Sequence, residues 1–392
     1  MGNLVKISKQ TIFQLLGKVI TSVATFIMLG LIARNFGEDG TGTFTLALTY
    51  LSIFYLLSDF GFNAHILKQQ DMQWQKLLGT RIVWSIILIG ISLALLPFWS
   101  FATPSFSQSV LIGSLAIMGS AVFVTSNLIF QSKLRYDFSV LASSTGTLIG
   151  LAVFLYFISL GLPISVMVLP HMISWIIIAL TSLLLVKRFT SKLTPLYDFS
   201  YSLKLLKDSW PIAATLALNV VYFRVDSFLL AYFRNISDVG IYNIAFSIFQ
   251  TALVFPAFIM NAYYPMMLKS LKQIRVIGLI LLVIAGLGSL LTFLLAPLLV
   301  SILTGGGFEG SVESLQILSL GFPAFFLSSL MLWILVTKNR YKVMLAIYGI
   351  GLLVNIVLNL IYIPSGSFIA ASWITVLCEY LILTLQVVSL IR

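Results

Sequence analysis

Charge is scarce in this sequence. Only 9% of its 392 residues are Asp, Glu, Lys or Arg, against about 25% in an ordinary soluble domain. Cysteine is nearly absent: Cys378 is alone, so an internal disulfide or a multi-cysteine metal site is excluded. The two histidines, His65 and His171, stand far apart with no HExxH-type pairing, which argues against a catalytic metal. Glycine-rich text occurs once, Thr304-Gly305-Gly306-Gly307-Phe308-Glu309-Gly310. It lacks the lysine of a phosphate-binding loop, so it reads as a turn or lid. The loops between the apolar runs are short, and the acidic residues of the external ones, Glu38, Asp39, Asp238, Glu309 and Glu313, form no DxD-type catalytic pair. No enzyme signature survives, and the expectation is a protein that is not an enzyme.

What is abundant is apolar. Hydrophobic residues make up 59% of the chain and the mean hydropathy is +1.06. That much apolar side chain cannot be hidden from water in a chain of this size, nor does it suit a disordered one. A membrane β-barrel alternates polar and apolar residues, which keeps average hydropathy low. The remaining class is an all-α polytopic membrane protein. The spacing predicts twelve spans, at 11–34, 43–67, 78–101, 109–130, 138–158, 164–186, 210–233, 240–267, 276–300, 314–337, 342–362 and 368–390. Lys6 and Lys9 before the first run imitate a signal peptide. That run is too long, contains Lys18 and ends at Arg34-Asn35-Phe36-Gly37 without a small-residue cleavage site, so it reads as an uncleaved span.

The net charge of +11 sits in short loops, which points to membrane topology and away from nucleic acid. With the N-terminus inside, 19 of the 23 Lys and Arg residues fall in cytoplasmic segments, Arg81 among them. Only Arg34 and Arg234 fall outside. The positive-inside rule then puts both termini in the cytoplasm. The stretch from Lys187 to Asp208 is the longest basic, polar one. It divides the chain into a six-helix half over 1–190, a cytoplasmic linker over 191–208 and a second six-helix half over 209–392. Text repeats across that break. Arg34-Asn35 precedes Gly42-Thr43-Phe44-Thr45-Leu46-Ala47, and Arg234-Asn235 precedes Gly240-Ile241-Tyr242-Asn243-Ile244-Ala245. An even number of spans per half makes these parallel repeats, a transporter plan with the substrate site between the halves.

Polar residues recur at three- and four-residue spacing. The first span carries Gln10, Gln14, Lys18, Thr21 and Thr25; the second Thr45, Thr49, Ser52, Asp59 and Asn63; the seventh Thr215, Asn219, Tyr222 and Asp226; the eighth Asn243, Ser247, Gln250 and Asn261. Each set shares a helix face. Polar faces turned to hydrocarbon are costly, so these should meet protein or a watery central cavity. The blander reading is hydrogen bonding between packed helices. The eleventh span shows a similar stripe of Tyr348, Asn355 and Asn359, and the twelfth one of Ser372, Thr375, Glu379 and Gln386, so polarity is not exclusive to the four.

Five ionisable residues lie inside spans: Lys18, Asp59, Arg224, Asp226 and Glu379. Each costs about 2.5–3.5 kcal/mol to insert, so each needs a partner or a function. Lys18 and Asp59 lie at a similar depth, about 12 Å from the inner ends of their spans, and can meet as an ion pair. Arg224 can fork onto a pyrophosphate or snorkel to the outer interface. Asp226 lies on the face of Asn219. Glu379 reads either as a proton or sodium site or as a protonated acid hydrogen-bonded to a neighbour.

Several of these stretches carry a family resemblance. Ala33-Arg34-Asn35-Phe36-Gly37, Gly40-Thr41-Gly42-Thr43-Phe44, Ser58-Asp59-Phe60-Gly61-Phe62, Arg224-Val225-Asp226-Ser227-Phe228-Leu229-Leu230, Val239-Gly240-Ile241-Tyr242 and Tyr264-Pro265 resemble the Wzx-type polysaccharide flippases of the multidrug/oligosaccharidyl-lipid/polysaccharide exporter superfamily. One departure is Pro364-Ser365-Gly366-Ser367-Phe368, where the family more often has a tyrosine-glycine turn followed by Gly-Ala-Ala. The resemblance implies a MATE-like fold in the bacterial inner membrane. It implies export of undecaprenyl-pyrophosphate-linked repeat units for O-antigen or capsule, by alternating access. The expected substrate contacts are Lys18, Arg224, Gln14, Asn219, Asn243 and Gln250, and the expected ion-coupling groups Asp59, Asp226 and Glu379. No cofactor is expected beyond H⁺ or Na⁺, and no metal. The expected partners are the lipid-linked oligosaccharide and a polymerase or glycosyltransferases, with the chain itself a monomer. Two alternatives stand beside it: a cation-coupled drug extruder of the same fold, and an integral membrane glycosyltransferase or polymerase.

Overall fold

Residues this apolar satisfy their backbone in lipid only as helices or closed barrels, and the chain takes the helical solution. The computed structural model describes residues 2–69, 72–190, 192–268 and 270–391; the side chains of 2–12, 68, 69, 219, 261, 262 and 265 lie outside the description. Among the described residues there is no strand. The helices are α1 Gly2–Asp59, α2 Phe62–Gln69, α3 Trp74–Ala94, α4 Pro104–Ser114, α5 Ala116–Ser132, α6 Tyr136–Ser159, α7 Leu169–Val186, α8 Phe199–Phe233, α9 Ile236–Ala252, α10 Val254–Met267, α11 Ile274–Thr304, α12 Glu309–Ser319, α13 Phe322–Thr337 and α14 Tyr341–Ile391.

Span number follows from length. Eight helical stretches are long and apolar enough to cross a bilayer, and two bent pairs bring this to ten. Two of the stretches, Phe13–Leu67 with 55 residues and Tyr341–Ile391 with 51, run to about 80 Å at 1.5 Å per residue, against a hydrocarbon core of about 30 Å. Each therefore holds two spans. They are kinked at Gly37 (φ 63°, ψ −160°) and at Ser367 (φ 48°, ψ −139°). The twelve expected crossings are thus present, though several are not single helices. The fourth is α4 and α5, broken at Leu115, and the eighth is α9 and α10, broken at Leu253. The tenth is α12 and α13, bent by 45°, where Pro323 opens α13. The seventh is α8, bent by 50° between Leu218 and Val220.

The chain clusters into two compact units: Met1–Asn35 with Thr43–Val220, and Phe36–Gly42 with Val221–Arg392. The division falls inside α8. Residues read from the sequence as a linker pack within the first unit. Leu196 N–H donates to Gln75 O at 2.9 Å, and Lys76 pairs with Asp198 at 2.8 Å. That hydrogen bond from Lys76 holds the Asp198 carboxyl below the usual carboxylate range.

Two local structures bear the mark of a repeat. The turns joining α5 to α6 and α13 to α14 carry Lys133-Leu134-Arg135-Tyr136 and Lys338-Asn339-Arg340-Tyr341. In both, the third residue's N–H reaches back five residues: Arg135 to Phe130 O at 2.8 Å and Arg340 to Leu335 O at 2.9 Å. In both, the second residue is left-handed, Leu134 at φ 51° and Asn339 at φ 55°. The second structure lies within the second unit, where the two glycines of the repeated text meet. A Cβ on Gly42 would sit 1.8 Å from Ile236 O, and one on Gly240 would sit 2.2 Å from Glu38 O. Each glycine faces the carbonyl four residues before the other, so the crossing is symmetric and only glycine fits.

Candidate functional site

In the first unit α1 ends at Asp59, and Phe60 and Gly61, both at positive φ, turn the chain into α2. The carboxylate of Asp59 is taken by Arg81, not by Lys18. Arg81 NH2 lies 3.1 Å from Asp59 Oδ1 and 3.1 Å from its backbone oxygen. The guanidinium also donates to Thr125 Oγ1 at 3.3 Å and lies 5.4 Å from the centre of the Phe62 ring. The expected Lys18–Asp59 pair therefore does not form. Arg81 had counted as a cytoplasmic residue, whereas α3 begins at Trp74 and carries it two turns in, with its side chain fully buried. Lys18 is exposed and its side chain makes no hydrogen bond or ion pair among the described residues, and Gln14 is likewise exposed.

Two stripe hydroxyls of α1 are satisfied within the helix. Thr21 and Thr25 bond carbonyls of their own helix, at Gly17 O and Thr21 O. Such bonds satisfy a hydroxyl locally and leave it with no call on a ligand. Asn63 donates across to Val124 O at 2.8 Å.

The second unit holds two buried carboxylates. Asp226, 3% exposed, lies on the inner face of α8. Its Oδ1 accepts from Asn359 Nδ2 at 2.6 Å, and its Oδ2 from Tyr242 OH at 2.9 Å and Thr375 Oγ1 at 3.1 Å. Asn359 Nδ2 also reaches Asn355 Oδ1 at 3.1 Å, while Asn359 Oδ1 is buried with no hydrogen-bond partner. Oxygens from α8, α9 and α14 thus converge there. Glu379, also 3% exposed, accepts from Tyr222 OH at 3.1 Å and from Ser328 Oγ. Neither carboxylate has a cationic side chain bonded to it among the described residues.

The other second-unit candidates differ in access. Arg224, two residues before Asp226, is partly buried and makes no ion pair or hydrogen bond among the described residues. Asn243 is buried and accepts from Ser227 Oγ at 3.0 Å. Gln250 is exposed. The side chain of Asn219 lies outside the described residues. Tyr222, Tyr242, Ser328, Asn355, Asn359 and Thr375 were not singled out as site residues from the sequence. The signal was present as one-turn pairs, 222 with 226, 355 with 359 and 375 with 379. Which pairs face each other is a tertiary fact.

Comparisons with known proteins agree with this architecture. The family model described as "Polysaccharide biosynthesis protein" matches residues 7–271. No curated protein sequence matches the chain. Among solved structures, one described as "Lipid II flippase MurJ, inward closed conformation" aligns at TM-score 0.81 and 14% identity, covering 97% of this chain and 88% of that one. An inward-facing multidrug resistance MATE family transporter of the MOP superfamily aligns at TM-score 0.65 and 12% identity, over 95% of this chain and 93% of that one. A MOP superfamily transporter from Pyrococcus furiosus aligns at TM-score 0.60 and 12% identity, over 98% and 94%. At such identities the likeness is one of fold. With the apolar helices, it makes the chain a multi-pass membrane protein of the fold that the family resemblance implied.

Proposed function

The chain belongs to the polysaccharide biosynthesis protein family, and from that premise we propose that it is a flippase for oligosaccharide repeat units linked to undecaprenyl pyrophosphate. It carries them from the inner to the outer leaflet of the bacterial cytoplasmic membrane by alternating access. Both termini face the cytoplasm. The chain acts as a monomer, beside the glycosyltransferases that build the unit and the polymerase that takes it.

The observation that carries this reading is the pair of span cations, Lys18 and Arg224, without a counter-ion among the described residues. A charge within a membrane span is costly unless a partner, water or a ligand meets it. A pyrophosphate brings at least two negative charges, and a guanidinium can fork onto two of its oxygens. Gln14 and Gln250, both exposed, can hydrogen-bond sugar hydroxyls. A drug extruder would instead need a carboxylate open to a cationic ligand. Asp59 is held by Arg81, and Asp226 and Glu379 are each 3% exposed.

Transport against a gradient needs a coupling ion. Asp226 is the best placed group, because Asn355 Oδ1, Thr375 Oγ1 and the unpartnered Asn359 Oδ1 lie around its carboxylate. Oxygen-rich surroundings with one negative charge suit a small hard cation such as Na⁺, or a proton, the Asn359 amide nitrogen being the one nitrogen bonded to the carboxylate among the described residues. Glu379 is the second candidate, and Asp59 the weakest, since Arg81 already neutralises it.

The test is flipping in liposomes. Purified chain is reconstituted with a fluorescent lipid-linked oligosaccharide, and transfer is read by an added enzyme that cleaves only the outer leaflet. The Lys18→Gln/Arg224→Gln variant should flip about tenfold more slowly or worse, and Arg224→Lys should retain part of the rate. Undiminished flipping by the double variant would remove the charge argument. A gradient of Na⁺ or H⁺ should drive net transfer in wild type and not in Asp226→Asn.

A further inference from the structure

Three aromatic side chains in the first unit remain outside the roles assigned so far. Tyr55 lies on the second arm of α1, and His171 and Trp175 lie one turn apart on α7. Tyr55 and Trp175 stand 5.5 Å apart by ring centroid, Tyr55 and His171 6.1 Å, and His171 and Trp175 6.4 Å. Phe123 of α5 extends the group, 6.2 Å from Trp175. All four are only partly buried. Span boundaries at Ile164 and Val186 put His171 seven residues inside, about 10 Å from that end. A polar ring at that depth does not face hydrocarbon without cost.

The hydrogen bonds define what this group offers. Trp175 Nε1 lies 3.2 Å from His171 Nε2. An indole N–H can only donate, so Nε2 carries no proton and the ring is neutral with its hydrogen on Nδ1. Tyr55 OH lies 3.1 Å from the same Nε2. That nitrogen has one in-plane lone pair and two donors aimed at it, so one donor is always in surplus. The Nδ1–H has no protein acceptor among the described residues and is not among the buried unpartnered atoms, so it is open to a ligand. The cluster therefore presents aromatic faces, one free N–H donor and one surplus donor. No charged side chain bonds to it among the described residues. A flat organic cation would use the faces and leave both donors empty. A pyranose uses all of it, with its C–H face on the rings and its rim oxygens on the donors.

We propose that Tyr55, His171 and Trp175 form a sugar-binding platform that recognises a pyranose ring of the transported lipid-linked saccharide. This rests on the flippase reading and deepens it: the span cations take the pyrophosphate, and the platform takes a sugar. His171 acts as the donor at its centre, held in one tautomer by Trp175.

The test separates sugar from pyrophosphate. Wild-type chain in nanodiscs is titrated with geranyl pyrophosphate and with geranyl pyrophosphate carrying glucose, galactose or N-acetylglucosamine. At least one glycosylated probe should bind about five- to tenfold more tightly than the bare lipid, the scale of one stacking contact with its hydrogen bonds. Trp175→Leu and His171→Leu should erase that difference and leave the bare lipid's affinity unchanged within about twofold. Tyr55→Phe keeps the ring packing and removes only a donor, so it should retain most of the stacking gain and guard against misfolding. A preference for the sugar that survives in Trp175→Leu and His171→Leu overturns the platform. So does an equal fall for bare and glycosylated lipid, which assigns the cluster to packing. A weakened response to ethidium with unchanged sugar preference overturns it in favour of a flat cation. Failure of wild type to bind any of the prenyl pyrophosphates defeats the flippase reading itself, and the platform with it.

Discussion

Asp59 in the first unit meets a guanidinium, whereas Asp226 and Glu379 in the second meet only amides and hydroxyls. The difference that matters is one of charge: Asp226 accepts three side-chain hydrogen bonds and Glu379 two, yet neither set brings a positive charge. Arg81 cancels the charge of Asp59 with a residue that never leaves. Neutral dipoles solvate a carboxylate without cancelling it, so a charge at Asp226 or Glu379 has to be balanced by something that arrives and departs. On the flippase reading, the first unit is electrostatically fixed and the second is the one whose charge changes through the cycle.

The largest effect that probes this comparison comes from Asp59→Ala. Arg81 has no exposed side-chain surface, while Asp59 is about a third exposed. Removing the acid strands a buried cation, and removing the cation strands an acid that water can reach. Asp59→Ala should therefore cost about 3–5 kcal/mol, and Arg81→Met distinctly less. Thermal unfolding of the purified variants reads both. The double variant Asp59→Asn/Arg81→Met should recover most of the loss. Equal costs for the two single variants would mean that the pair is not asymmetric in burial.

The second unit should respond differently. Asp226→Asn removes a charge to which no cationic side chain bonds among the described residues, and the amide can still be bonded by Tyr242, Thr375 and Asn359. The variant should fold, and its loss should appear in ion response. Na⁺ at about a hundred times its dissociation constant should stabilise wild type by about 2.7 kcal/mol and Asp226→Asn by nothing. If neither Na⁺ nor acid pH changes wild-type melting, the site does not exchange ions. Glu379→Gln should cost about 1 kcal/mol or less, because Tyr222 and Ser328 offer hydroxyls that rotate to accept as readily as they donate. A loss above about 3 kcal/mol would show that Glu379 has a fixed role like that of Asp59.

Crossing number and fold class were legible because they rest on hydropathy and length, which are local. The partner of Asp59 was not. Lys18 and Arg81 are both cations within reach of the inner membrane face, and the counting of loop charges that orients the chain treats a buried arginine at a helix start as a loop residue. The Asp226 cage was half legible: Asn355, Asn359, Thr375 and Glu379 lay in stripes, but a stripe says which residues share a face and not which helix it meets. The break at Leu115 left no signal, since it carries neither a proline nor a positive φ, whereas the break at Leu253 is announced by Pro256 in the first turn of α10, whose missing N–H cannot continue the ladder.

The smallest effect tests the repeat itself. The turns at Lys133–Tyr136 and Lys338–Tyr341 share their text except at the second position, Leu134 in one and Asn339 in the other. Both residues are left-handed, at φ 51° and 55°, and both are exposed. A leucine in that region pushes its Cβ against backbone at a cost of about 1 kcal/mol, whereas asparagine tolerates it. Leu134 keeps 43% of its surface exposed, so the partial burial lost with its side chain limits the gain. Leu134→Gly should therefore stabilise the chain by up to about 1 kcal/mol, offset in part by the extra freedom glycine gives the unfolded state. Asn339→Gly should change stability by only a few tenths. The informative variant is Leu134→Asn, which copies the second half's residue into the first. If the turns are the same structure, it should gain about as much as Leu134→Gly without the entropic offset. A loss on Leu134→Asn, in melting experiments that resolve about half a kcal/mol, would mean that Leu134 packs against something the second turn lacks, and that the two turns match in text and backbone but not in surroundings.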